Sequence, residues 1–207
     1  GLVLADLPEF GRHTLEIPRA PLASGRIVIS RAARQATVPA QFQLVTAMNP
    51  CPCGLSGDES GRCNCSAEQI HRYRNKVSGP LLDRIDIQVE VLRPKTSILG
   101  APVNNIESSA DVRERVIDSR KIQHQRAGKP NALMTNADLA NFCHIGGETL
   151  QLLEHAAEQL YLSPRACHRI LKVSRTIADL DHAQDISSTH VAEAISFRRL
   201  NTGQNCI

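Results

Sequence analysis

The sequence predicts a mixed α/β chain, strand-rich in its first part and helical in its second. Three observations carry this expectation. β-Branched apolar runs recur up to about residue 95, a Ser/Gly/Pro/Asn-rich passage follows Arg93-Pro94-Lys95 to about Glu107, and beyond it the apolar residues recur at helical spacing. The 207 residues suit one or two domains, and an apolar content of 42% is enough for a core without covalent staples.

Taken in order, Leu2 to Leu4, Arg26 to Ser30, Phe42 to Met48 and Ile85 to Val91 read as strands. Ile27-Val28-Ile29-Ser30, Arg31-Ala32-Ala33-Arg34-Gln35 and Ala36-Thr37-Val38 together read as a β-hairpin with a basic tip. In the second part, Ser108-x-x-Asp111 and Thr135-x-x-Asp138 have the form of capping boxes. Ser163-Pro164 supplies an N-cap with proline in the first turn. The helix that follows, Arg165 to about Leu180, places Ala166, Ile170, Val173, Ile177 and Leu180 on one side and Arg165, Arg169, Lys172 and Arg175 on another. A solvated basic face accounts for most of these cations. Arg165 is different, because the helix dipole disfavours a cation in the first turn and an anionic partner explains it better.

Composition bounds the function. The seven cysteines are odd in number, and there is no secretory signal or apolar span of membrane length, so a reducing cytoplasm with no membrane partner is expected. A net charge of +3 means that any nucleic-acid contact comes from local clusters. With no Trp, two Tyr and four Phe, the chain lacks the aromatics of a base-stacking platform.

Cys51, Cys53, Cys63 and Cys65 are paired at the two ends of a short polar loop. Thiolates in such an arrangement can wrap one tetrahedral ion, and soft sulfur ligands select zinc. Two disulfides or four unlinked thiols remain the alternatives, since the spacing is Cys-x-Cys and not Cys-x-x-Cys.

Several strings then converge. Leu7-Pro8-Glu9-Phe10, Pro21-Leu22-Ala23-Ser24-Gly25-Arg26, Ile29-Ser30-Arg31-Ala32, the run from Phe42 through Asn49-Pro50-Cys51-Pro52-Cys53-Gly54, Ser78-Gly79-Pro80-Leu81-Leu82-Asp83-Arg84-Ile85-Asp86, and Arg169 through Asp179-Leu180 together resemble the magnesium-chelatase-like AAA+ ATPases of the YifB/ComM family. The resemblance extends from residue 1 to about residue 199. It implies a partial AAA+ core over 1–95, with a cysteine-rich insertion at 51–65, a linker and connecting helix over 96–130, and an α-helical lid over 131–207. It also implies ring-forming, hexameric self-assembly, ATP and Mg²⁺ as cofactors, and DNA as partner, ComM members being associated with branch migration during natural transformation.

The resemblance assigns roles residue by residue. Asn49 matches sensor 1, where a neutral amide orients water against a γ-phosphate; a plain turn before Pro50 is the other reading. Arg84 matches an arginine finger that serves a neighbouring subunit, as against a surface ion pair with Asp83 or Asp86. Arg165 matches sensor 2, a cis contact from the lid. Arg31, with Arg34 nearby, matches the basic tip of a pore-facing hairpin that would grip DNA phosphates, as against a tip that only solubilises an edge. The family's cysteine-rich insertion supports a structural zinc.

Two departures stand out. Where the family's Walker B strand ends in Asp-Glu before Leu-Pro-Glu-Phe, this chain has Ala5-Asp6, so either Ala5 replaces the magnesium-positioning Asp and Asp6 stands at the catalytic Glu, or Asp6 is the magnesium residue and the Glu is missing. No Gly-x-x-x-x-Gly-Lys-[Ser/Thr] loop occurs in the 207 residues. The chain therefore reads as the C-terminal part of a longer motor, inactive by itself. The rival reading is a zinc-stabilised DNA- or partner-binding module without ATPase chemistry, and a third is a chelatase-type motor subunit.

Overall fold

A computed structural model describes residues 1–31, 34–58, 61–91 and 107–198, with Arg31 and Arg34 described by their backbone only. The chain forms two compact units. Residues 1–85 make the first, and residues 107–198 make the second together with the segment Asp86–Glu90. Most of the predicted linker lies outside the described residues.

The first unit contains strand β1 (Leu2–Leu4), a 3₁₀ turn (Leu7–Glu9), helices α1 (Arg12–Glu16) and α2 (Arg19–Ser24), strands β2 (Arg26–Arg31), β3 (Arg34–Pro39) and β4 (Leu44–Thr46), and helices α3 (Ala67–Arg74) and α4 (Gly79–Leu82). β1 and β4 pair in parallel, Leu2 with Leu44 through Leu4 with Thr46. β2 and β3 form the expected antiparallel hairpin, from Arg26 opposite Pro39 to Arg31 opposite Arg34. Gly25 caps α2 at φ 67°, the left-handed turn that feeds β2, and a Cβ there would meet Gln41 Cγ at 3.2 Å. Leu7, Leu15, Val77 and Leu81 form a small core, flanked by Leu4, Phe10, Leu22 and Leu82.

One expected strand is absent. Among the described residues Ile85 to Val91 forms no strand, and the Gln88 N–H donates to the Phe197 carbonyl at 3.0 Å. A strand exists only through pairing, so β-branched composition alone does not make one. With four short strands, this unit is less strand-rich than its composition suggests.

The second unit is helical: α5 (Ser109–Ala127), a 3₁₀ turn (Asn131–Leu133), α6 (Asn136–Phe142), α7 (Gly147–Gln159), α8 (Pro164–Leu180) and α9 (Ser188–Ser196). Ser108 and Thr135 form the capping boxes read from the sequence, and Ser163 caps α8 with Pro164 behind it. The core is built from Met134, Leu139, Cys143, Leu153, Ile170, Ile177, Ala178, Ile186, Val191, Ala194 and Ile195.

α8 departs from its predicted faces. Leu180 is exposed, whereas Arg175, assigned to the basic face, is buried. Its Nε donates to Asp179 at 3.1 Å, and its terminal nitrogens donate to the carbonyls of Ala183 and Gln184 at 2.6 and 2.8 Å. Arg126 grips the same carboxylate with two bonds of 2.6 Å, and Asn131 adds a third donor at 2.8 Å. One buried acid thus ties α5, the 3₁₀ turn, α8 and the loop to α9.

Candidate functional site

Parallel strands end side by side, so the residues just beyond them share one edge, where open α/β sheets bind ligands. Here the edge carries Asp6, two residues past β1, and Asn49, three past β4. Leu7 N–H bonds to Ala47 O at 3.0 Å and Ala47 N–H to Leu4 O at 3.1 Å, which holds the two exits together. Asn49 Nδ2 lies 3.4 Å from Asp6 Oδ1, a long hydrogen bond between two exposed side chains. Asp6 adopts φ 53°, ψ 52°, a left-handed conformation that costs a non-glycine residue about 1 kcal/mol. That strain sits on the residue whose carboxylate faces Asn49.

The loop after Asn49 turns at once into the cysteine cluster. The four sulfurs of Cys51, Cys53, Cys63 and Cys65 lie within 4.8 Å of one another. Cys51 Sγ is 3.3 Å from Cys53 Sγ and 3.8 Å from Cys63 Sγ, and the Cys53 to Cys63 separation is 3.6 Å. Four thiolates about 2.3 Å from one tetrahedral ion would sit about 3.8 Å apart, so the spacing fits a metal and no disulfide is formed.

The electrostatics agree with the geometry. Burial would push the Cys51 thiol up, yet hydrogen bonds from Cys53 and from the Ser56 N–H, 3.2 Å away, bring it down to about 6. Cys65 is lowered by the Cys53 backbone, but the Cys53 side chain, burial and Cys51 outweigh that and push it up to about 12. The Cys51 thiol is thus lowered while the Cys63 and Cys65 thiols are raised.

α3 closes the arrangement. Ser66 follows Cys65 directly and caps this helix through a reciprocal box with Gln69. At its far end Tyr73 is buried, and Arg74 Nε donates to Pro50 O at 3.0 Å. Burial pushes the Tyr73 hydroxyl up, with Glu9 and Asp6 adding to it. Tyr73 and Arg74 were not singled out in the sequence; only the Ser66-x-x-Gln69 pattern signalled that a helix starts there.

The remaining candidates fall elsewhere. Arg84, half-buried after α4, donates through Nε to Arg19 O at 3.1 Å and through Nη1 to Pro80 O at 2.6 Å. Asp86 is drawn instead to Arg169, at 2.7 Å. Arg165 stands exposed in the first turn of α8, in the second unit. The backbones of Arg31 and Arg34 are register partners in the last rung of the hairpin, whose apolar residues Ile27, Val28, Ile29 and Val38 are all exposed. No described helix is long and apolar enough to cross a membrane.

The chain is similar to known proteins over nearly all of its length. Residues 1–99 match the family model of magnesium chelatase subunit ChlI, and residues 106–198 match that of the ChlI C-terminal region. Competence protein ComM of Haemophilus influenzae is 47% identical over 200 residues, which cover 96% of this chain and 39% of ComM. The uncharacterized protein YifB of Escherichia coli is 44% identical over 97% of the chain and 39% of its own length. An uncharacterized Mycobacterium bovis protein is 36% identical over 203 residues, 96% of the chain and again 39% of the relative.

Proposed function

The chain belongs to the magnesium chelatase subunit ChlI family, and from that premise we propose that it is the C-terminal part of a ring-forming AAA+ ATPase that remodels DNA in the cytoplasm. Its cofactors are ATP and Mg²⁺, and its partners are DNA and further copies of itself, six to a ring. The observation that carries this reading is the meeting of Asp6 and Asn49 beyond the parallel strands. The residues fit the cofactor. Asp6 would hold Mg²⁺, a hard cation that takes oxygen ligands, and Asn49 would orient a water without adding charge. ATP, when bound, supplies the phosphoryl group.

Arg84 acts in trans, on a neighbour's nucleotide, where its fixed positive charge stabilises the transition state. The carbonyls of Arg19 and Pro80 hold its guanidinium in place. Arg165, at the start of α8, acts in cis from a helical lid. No lysine-bearing phosphate loop occurs within the 207 residues, which span 39% of the length of ComM. Arg31 and Arg34 contact DNA phosphates without reading sequence. Cys51, Cys53, Cys63 and Cys65 hold a structural zinc, whose four protein ligands leave no open position for a substrate.

One observation favours a second reading, a zinc-stabilised binding module without hydrolysis: Ala5 precedes Asp6, so a single acid stands where the family carries two. Mixing experiments on the full-length protein separate them. Arg84→Ala subunits, combined with subunits intact at Arg84 but unable to bind nucleotide, should recover hydrolysis that neither shows alone. No recovery, with an active wild type, overturns the trans role of Arg84. An assembled wild type without ATP turnover establishes the module instead.

A further inference from the structure

The chain passes from the first unit to the second between Ile85 and Asp86, directly after Arg84 and its one following residue. Up to that point Arg84 is held by its own unit. Its N–H bonds to Leu81 O at 2.9 Å and the Ile85 N–H to Leu82 O at 3.0 Å, while the guanidinium donates to the carbonyls of Arg19 and Pro80. Past that point the hold comes from the helical unit. Asp86 Oδ1 accepts from Arg169 Nη1 at 2.7 Å, and Nη2 of the buried Arg198 lies 3.6 Å from the same oxygen. Gln88 N–H adds a backbone bond to Phe197 O at 3.0 Å. Two residues of chain span at most about 7 Å, so the anchor on Asp86 limits where the Arg84 backbone can stand.

An exposed ion pair commonly contributes less than about 1 kcal/mol, and the Asp86 side chain is half-exposed, so strength alone gives this pair no role. Its place gives it one. Asp86 and Arg169 are 83 positions apart, and Arg169 stands one helical turn after Arg165 on α8, a helix of 17 residues. The carboxylate that follows Arg84 is therefore fastened to the helix that presents Arg165.

We propose that Asp86, gripped by Arg169, is a positioning residue for Arg84: the ion pair fixes the chain just behind the arginine that serves a neighbour's nucleotide and couples it to α8. This rests on the reading of Arg84 as acting in trans, and it adds what sets its backbone. Asp86 itself touches no nucleotide. A shift of α8, as when Arg165 engages a phosphate, reaches Arg84 through two residues of chain.

The assembled full-length protein provides the test, with amide exchange over 85–88 read beside steady-state ATP hydrolysis. Asp86→Asn and Arg169→Gln should each quicken that exchange by about tenfold, while exchange within α8 stays as in the wild type. Each should lower kcat by about tenfold with KM for ATP held within about twofold, and the double variant should be no worse than either single one. Asp86→Glu, which keeps the charge, should retain most of the activity. In an Arg84→Ala background, Asp86→Asn should change hydrolysis no further, because the residue it positions is gone. If exchange over 85–88 is unmoved, or if it quickens while kcat stays at the wild-type value, the coupling is overturned and the trans role of Arg84 stands. If Arg84→Ala alone leaves hydrolysis unchanged, the trans reading falls first and the coupling with it.

Discussion

Asp179 shows how one side chain can organise a unit. Its carboxylate is fully buried and receives Arg126, Arg175 and Asn131, so its charge is compensated by two guanidiniums and an amide. Removing it leaves two cations in low dielectric without a counter-charge, which is the costly way to break a buried pair. Asp179→Ala should lower stability by about 3–5 kcal/mol, read as a fall in the urea midpoint of the helical unit. A loss under about 1 kcal/mol would mean that water replaces the carboxylate. The sequence shows Arg175 and Asp179 four apart on one helix, a spacing that also suits an exposed pair. Only the approach of Arg126, 53 positions away, makes the site buried. The same holds for Asn49, whose type and place before Pro50 are legible while its contact with Asp6 is long-range.

The helix starts were the most legible elements, because capping is local chemistry: a hydroxyl and an acid three residues apart satisfy the first free N–H groups wherever the helix packs. The hairpin was legible too, since β-branched residues flank a short basic turn. Its last rung pairs the backbones of Arg31 and Arg34, at the tip where the proposed reading puts an anion such as DNA phosphate. If DNA phosphate is that anion, replacing both with Ala in the assembled full-length protein should weaken binding to unrelated sequences equally and flatten the salt slope by up to about two. An unchanged slope would leave the tip as a solvated turn. The segment Ile85 to Val91 failed as a strand for the opposite reason: pairing is not local, and the Gln88 N–H found Phe197 instead of a neighbouring strand.

Across the whole molecule, the two units carry different sensitivities. In the helical unit Asp111, Asp118 and Asp138 all have carboxyls below the usual range, through hydrogen bonds from Ser108, Lys121 and Lys129 respectively, and Asp138 lies at about 2. A depressed carboxyl stabilises the fold above its unfolded value, and the contribution fades as pH falls through the folded one. The melting temperature of this unit should therefore decline from about pH 4 towards pH 2, and replacing all three with Asn should flatten the decline. An equally steep decline in the triple variant would place the acid sensitivity elsewhere. In the first unit the described core cluster is small, built on Leu7, Leu15, Val77 and Leu81, and the four sulfurs that could hold a metal lie within 4.8 Å of one another. The sequence by itself determined the family, the paired cysteines, the caps and the hairpin, because motifs and short-range hydrogen bonding depend on neighbours along the chain. The tertiary structure decided that Arg175 is a buried tie and not a surface cation, that Ile85 to Val91 forms no strand among the described residues, and that Asn49 meets Asp6 beyond the parallel pair. Those outcomes depend on which distant groups share a space, and burial and pairing energies are set there.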